Sequence, residues 1–506
     1  MPSWLRVASL VGAIAVATSS SGTDAGPAQK QQPLLALVQD ARDLSVAAPD
    51  VFQRAAAFGD VHALPSLTQP DSVPASSRQK RISRSAVDIL VRRIGPSAGA
   101  GFMETVLAAQ PPKGIGAIVI ESGSFRLGDV RRELEALGHA GHLEATPGGY
   151  IAHTPIFIWN GAELKITPGE ILKMDNAKGA FMVNAGSLTV DHATLQGIGR
   201  GASTFRSFVL TTFGGTTTID RSNLVSLGFD ASAETAGIAF ARQQFANAAR
   251  PSIVQGSLFQ DVAGLSLIDV NGLNILGNRF IDSPTTAIIL RAARDVHIAG
   301  NIIVGDLGSH GIKVMSSSSG VTINDNLVVG GAGNGIFVTG GATSVAISNN
   351  IVALSALTGI GVDTAACVTV QQNAVINNGS KGVAMRTALH SHVRQNRLVG
   401  NGFAGLSVDD QYHGMPLEVS RNAFRENRAG LAGSGVGSVV LVGNDFDRQM
   451  PRLGVGEFAG SVGQLLAFDA SRQDGEFRLA GKTIDNQPAL AAFSAVDLAA
   501  CAGKRG

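Results

Sequence analysis

Gly335-Ile-Phe-Val-Thr-Gly-Gly-Ala-Thr-Ser-Val-Ala-Ile-Ser-Asn-Asn350 decides the fold, because both of its phrases return at a fixed interval. The first phrase is a Gly followed by an aliphatic residue. It recurs at Gly264-Leu265, Gly311-Ile312, Gly359-Ile360, Gly382-Val383, Gly405-Leu406 and Gly430-Leu431, with a weaker copy at Ala287-Ile288. From 264 to 430 the steps are 23, 24, 24, 24, 23, 23 and 25 residues. The second phrase is an alternating aliphatic pair closed by Asn. It reads Leu273-x-Ile275-x-x-Asn278 and then closes at Asn301, Asn326, Asn350, Asn373, Asn396, Asn422 and Asn444. A short unit repeated this regularly marks a solenoid.

Alternation with period two means a strand with one buried face. Each unit holds two or three such segments and has no room for a strand plus a crossover helix. Every unit is therefore one coil, whose strands pair in parallel with their copies in the next coil, with Val, Ile and Leu stacked in inward files. The recurrent Asn is expected to occupy a left-handed turn and to stack side chain on side chain along the axis. The Gly is expected to relax a tight corner. Weaker phrases start at Leu188-Thr189-Val190, Thr218-Ile219 and Ile253-Val254, which brings the count to about ten coils and a rod of roughly 50 Å. A leucine-rich repeat needs a fixed Leu ladder and a propeller blade needs ~40 residues, so neither fits. The expected fold is all-β, a parallel β-helix with a small α/β N-terminal cap.

The 506 residues include 40 basic and 39 acidic side chains, a net charge of +1, which gives no footprint for nucleic acid. Arg6 precedes an apolar run over 7–17 and a small polar stretch over 18–22. This reads as a signal peptide at 1–22, too short to span a membrane, and implies an exported, periplasmic protein with no membrane span in the mature chain. Only Cys367 and Cys501 occur. Cys367 lies in a strand phrase and is expected to be a buried thiol; the pair makes neither a disulfide framework nor a metal site. Residues 23–95 form a low-pattern helical and linker region, with one helix over 34–57 and a basic, solvated run over 78–84. Residues 96–160 are expected to cap the rod, with a strand at 117–120 and a helix at 130–137. The β-helix occupies 161–450, and 451–506 cap the other end.

The order of phrases resembles the periplasmic mannuronan (alginate) carbon-5 epimerases. The similar text begins at Ala117-Ile-Val-Ile-Glu-Ser-Gly-Ser-Phe. It continues through Thr154-Pro-Ile-Phe-Ile-Trp-Asn-Gly-Ala-Glu-Leu and Lys178-Gly-Ala-Phe-Met-Val-Asn-Ala-Gly, then Ser226-Leu-Gly-Phe and Thr235-Ala-Gly-Ile, covering about 115 to 410. The resemblance implies a right-handed parallel β-helix acting on an acidic exopolysaccharide. It also implies other exopolysaccharide export proteins as partners, and no cofactor. The family's Asp-Pro-His-Asp signature is absent. Its positions hold Ile288-Ile289-Leu290-Arg291 in one register and Ile289-Leu290-Arg291-Ala292 in the other. The family's His-Gly-Ile coil is kept as His310-Gly311-Ile312, while its Arg position is Ser316; Arg386 is a candidate for a downstream family Arg.

Epimerisation removes the proton α to a uronate carboxylate, so it needs a neutralised carboxylate, a base on one face and a proton donor on the other. His310 and Lys313 are the candidate catalytic pair. Arg291, Arg294, Arg386, Tyr412 and His413 are the candidate substrate-binding residues, Tyr412 and His413 within the dense polar run Asp409-Asp410-Gln411-Tyr412-His413. A glycosidase pair from Asp363 and Asp409 is the weaker alternative, and no calcium-binding Asp cluster is visible. Three readings stay open: an exported isomerase on a uronate polymer, with a polysaccharide lyase as the lesser enzymatic form; a non-catalytic polysaccharide-binding or escort protein that has lost the catalytic residues; and, weaker, a generic β-helix surface protein with no glycan role.

Overall fold

The computed structural model of the chain describes residues 27–482 except 60–64, 68–77, 99–101, 112–115, 202–203, 230–231, 242–251, 450 and 471–474. The segment expected to be an export signal lies outside these residues, as does Cys501. The repeat region is a parallel β-helix. Strands of each coil join a 26-stranded sheet that wraps two sides and a 14-stranded sheet that closes the third. One coil runs Ile312–Met315, Ser319–Asn324 and Leu327–Gly330.

The registers explain the repeat. The aliphatic residue after each Gly forms one inward file: Leu265, Ile288, Ile312, Ile336, Ile360, Val383, Leu406 and Leu431 are successive partners. All eight are fully buried. At roughly 1.5–3 kcal/mol per buried aliphatic side chain, such files are the main cohesive force between coils. The Gly ahead of them is required by close approach. A Cβ on Gly359 would sit 2.4 Å from Val375 Cγ1 and 2.9 Å from the Gly382 carbonyl of the next coil.

The Asn residues form a buried ladder. Nδ2 of Asn278, Asn301, Asn326, Asn350, Asn373, Asn396 and Asn422 each donates to Oδ1 of the Asn one coil on, at 2.9–3.0 Å. The left-handed conformation expected of these Asn falls instead on the residue before each: Gly277, Gly300, Asp325, Asn349, Gln372, Gln395, Arg421 and Gly443. The reason lies in the bonding. Asn326 Nδ2 also donates to the Asn324 carbonyl at 3.0 Å, so the amide spans the turn and the intervening Asp325 takes the strained φ. A second ladder, unexpected from the repeat, runs Asn378 to Asn401 to Asn427 to Gln449 at 2.9–3.1 Å.

There are about 12 coils, two more than the sequence suggests. Upstream strands such as Ala162–Ile166 and Ile171–Asp175 pair in register with later coils but lack the Gly phrase. Helix Leu127–Ala136 packs Leu127, Val130 and Leu134 onto the start of the core, and Asp129 accepts the Arg126 amide at 3.1 Å to close its first turn. At the far end Phe458 and Leu465 join the same core, and strand Glu476–Ala480 runs antiparallel to Ser438–Val442.

The single helix expected over 34–57 is two helices, Pro27–Arg42 and Ala48–Ala55, the second with Pro49 in its first turn, where a Pro is favoured. Leu34, Leu37, Val51 and Phe52 lie on the outer face of the 14-stranded sheet, against Ile302, Leu327, Ile351 and neighbours. Arg279 donates to the Asp43 and Val46 carbonyls between the helices, at 3.0 and 2.8 Å. Cys367 is disulfide-bonded, which corrects the expected free thiol. Its half-buried position at the surface of the rod, beside Tyr412 and Met415, leaves it open to a partner.

Candidate functional site

Outward positions alternate with the inward files, so side chains on consecutive coils form a continuous strip. One outward file reads Ser266, Ile289, Lys313, Phe337, Gly361, Ala384 and Ser407. The neighbouring file contains Ile268, Arg291 and Met315, and further on Thr339, Asp363, Arg386 and Asp409.

Two of the expected residues, His310 and Lys313, meet at an unexpected third, Phe337, and Arg291 lies one coil upstream of Lys313. The His310 ring lies 5.2 Å from the Phe337 ring, tilted 31°. Lys313 Nζ stands over the same ring at 5.8 Å from its centroid, within cation–π range. Arg291 is one coil upstream, at the end of strand Ile288–Arg291, close enough for its charge to act on Lys313. Burial, then the Arg291 charge, holds Lys313 below the usual lysine range. Phe337 was not singled out from the sequence. The signal was available: it is the one aromatic residue at the second position after a repeat Gly.

His310 is less open than a corner residue would be. Its Nδ1 accepts the Asn334 backbone N–H at 3.0 Å. Burial, reinforced by the Lys313 ammonium, pushes its pKa down to about 4. The imidazole is therefore neutral at pH 7, with Nδ1 already engaged and its proton on Nε2. It can donate a hydrogen bond, but its basic nitrogen is occupied.

The remaining candidates lie elsewhere. Arg294 begins the next face and pairs with Asp269 at 3.9 Å. Arg386 sits between the two acids of the glycosidase alternative, 4.0 Å from Asp363 and one coil before Asp409, and donates from Nε to Asp410 at 2.8 Å. A bound cation between them leaves no paired acid and base. Tyr412 packs near Ala366 and Leu389, and His413 is exposed beyond it; both follow a strand four coils past that of Lys313. A cavity of about 750 Å3 lies on a different side of the rod, around Thr369, His392, Arg394, Glu418 and Arg478. Its His392 and Arg394 are tied to Glu418 at 3.3 Å and Gln371 at 2.9 Å.

Residues 249–439 match a family model described as periplasmic copper-binding protein (NosD). Copper favours imidazole and sulfur donors gathered in one place. Among the described residues the one group of three converging ligands is Asp191, His192 and Asp220, ahead of the matched stretch. There Asp220 is held by Arg221 and Gln255, both at 3.0 Å. The described residues of the matched stretch do not fit a copper centre.

The chain is 31% identical over 217 residues to the mannuronan C5-epimerase AlgG of Azotobacter vinelandii. The match covers 39% of this chain and 40% of that relative's length. A crystal structure of the periplasmic alginate epimerase AlgG superposes with a TM-score of 0.53 at 20% identity, covering 73% of this chain and 87% of that one. A mutant form of the same epimerase gives 0.57 at 18% identity, covering 78% and 98%. At these identities the superpositions speak to the fold. The chain is a parallel β-helix similar to the mannuronan C5-epimerases, built on the same coil architecture.

Proposed function

We propose that the protein is an exported, periplasmic β-helix protein that binds an acidic exopolysaccharide along the outward strip containing Arg291, Lys313 and Phe337. The carrying observation is the grouping of two cations and an aromatic ring on three consecutive coils. Arg291 and Lys313 offer a seat for a uronate carboxylate, and the half-buried Phe337 offers an apolar face for a sugar ring. The strip is long and shallow, which suits a polymer. No helix among the described residues is long and apolar enough to cross a membrane.

The same geometry argues against carbon-5 epimerisation by His310. A base must present a free lone pair, and His310 Nδ1 already accepts from Asn334. The absent Asp-Pro-His-Asp stretch points the same way. Retention of the polymer without its chemistry is the reading this supports, an escort or binding role in exopolysaccharide export. One observation favours a second reading, in which the chain is an isomerase: Lys313, held below its usual range, would be the base.

Incubation with polymannuronate in heavy water separates the two. The binding role predicts measurable association with no deuterium at carbon 5. Deuterium incorporation lost on Lys313→Ala would establish the isomerase. Absence of exchange, together with no binding of any uronate-bearing polysaccharide, would defeat both readings.

A further inference from the structure

The strip carries two fields of opposite sign, and their order along the axis limits which polymer can lie on it. At the upstream end, Arg291 and Lys313 form no ion pair among the described residues, while nearby Asp269 is engaged by Arg294. Downstream, the central file loses its bulk: Phe337 gives way to buried Gly361, half-buried Ala384 and buried Ser407. Beside that stretch stand Asp363, Asp409 and Asp410, with Lys381 and Arg386 between them. Lys381 Nζ donates to Asp409 at 3.1 Å, Ser407 Oγ donates to the same carboxylate at 2.7 Å, and Arg386 serves Asp410 and Asp363. Three carboxylates face two cations, so this region is net negative. The titration directions agree. Asp410, then Asp363, holds Arg386 above its usual range, whereas burial and Arg291 hold Lys313 below its own.

We propose that the strip is built for an acidic heteropolysaccharide in which uronate units are separated by neutral sugars. One carboxylate sits at Arg291 and Lys313, and the neutral units that follow lie over Ala384 and against the Lys381–Asp409 and Arg386–Asp363 pairs. This rests on the acidic-polysaccharide reading above and narrows it. A polymer made only of uronate would bring its next carboxylates against a region already in negative excess, where like charges repel. A sugar hydroxyl both donates and accepts, and ion-paired side chains present both kinds of partner. The strand of Lys313 is three steps from that of Ala384, about 14 Å at ~4.8 Å per step, so the units immediately after the seated uronate must be the neutral ones.

The test compares oligosaccharides of matched length by calorimetry on the full chain: oligogalacturonate, deacylated gellan fragments in which each glucuronate is followed by three neutral sugars, and dextran. The gellan fragments are expected to bind about tenfold tighter than oligogalacturonate, with no detectable heat from dextran. The combined variant Asp363→Asn, Asp409→Asn, Asp410→Asn is expected to raise oligogalacturonate affinity toward that of the gellan fragment. Oligogalacturonate binding the unaltered protein as tightly as the gellan fragment would overturn this proposal and leave the acidic-polysaccharide reading standing. An unchanged oligogalacturonate affinity in the triple variant would overturn the repulsion argument. Failure of both acidic probes to bind would instead remove the parent reading. The selectivity of the unaltered protein needs no variant, so misfolding of the triple variant leaves the test decisive.

Discussion

The backbone N–H of Asn334 donates to His310 Nδ1 across one coil, at 3.0 Å. This bond engages the nitrogen that a proton-abstracting histidine would need. It also turns a repeat position into a reporter of burial. The folded imidazole titrates near 4, against 6.5 for the unperturbed group. Nitrogen-15 NMR of the imidazole should show a neutral ring with the proton on Nε2 throughout pH 5–8. A ring that protonates near pH 6.5 would contradict the geometry.

The same depression has a consequence for stability. Because the folded pKa is the lower one, the unfolded chain binds the extra proton between pH 6.5 and 4. The stability associated with neutral His310 is therefore complete above about pH 6.5 and is lost as pH falls toward 4. Partial exposure screens the effect, so we expect about 1–2 kcal/mol. Denaturant midpoints at pH 7 and 4.5 should fall less for His310→Gln than for the unaltered chain.

Asn350 tests the ladder. Its Oδ1 accepts both the backbone N–H and the Nδ2 of Asn326, and its Nδ2 donates to Asn373, the Ile323 carbonyl and the Ser348 carbonyl. Asn350→Ala leaves buried donors and acceptors without partners on both sides. It should cost about 3 kcal/mol or more in denaturant unfolding, whereas removal of an exposed side chain such as Arg394 should cost under about 0.5 kcal/mol.

Gly359→Ala probes the spacing between coils. The added methyl meets Val375 at 2.4 Å and Asn378 Nδ2 at 2.7 Å, so the coils must separate or twist. A loss of about 1–3 kcal/mol is expected, read as a lower thermal midpoint. No loss would mean that the Gly phrase serves a purpose other than close approach.

Much of this architecture is legible in the repeat. Ile312, Ile336 and Ile360 stack as their common place after Gly requires, and the Asn residues bond along the axis. What escaped the sequence depends on contacts distant along the chain. Coils before residue 250 keep the inward files but vary their corners, so the repeat phrases alone undercount them. The short helix Ala48–Ala55 has an ordinary amphipathic pattern, and nothing local says that the partner of the helix pair is an outer sheet face at 281–376. The disulfide at Cys367 depends on the three-dimensional approach of a second sulfur, which spacing does not encode. Within the candidate site, Lys313 and Arg291 were recognisable as outward charges. Phe337 was not, because an aromatic residue in an aliphatic repeat is as easily read as core. The position of Arg386 suggests substrate binding, and its engagement by Asp363 and Asp410 appears only when the coils are stacked.

The most direct measurement is the affinity of the full chain for a uronate-bearing polysaccharide, titrated at low and moderate salt, with and without Arg291→Ala and Lys313→Ala together. The double variant should keep the β-sheet circular dichroism and lose binding at least about tenfold, with a shallower salt dependence than the unaltered chain. Binding that is unchanged in affinity and in salt slope would contradict the placement of the polymer on this strip.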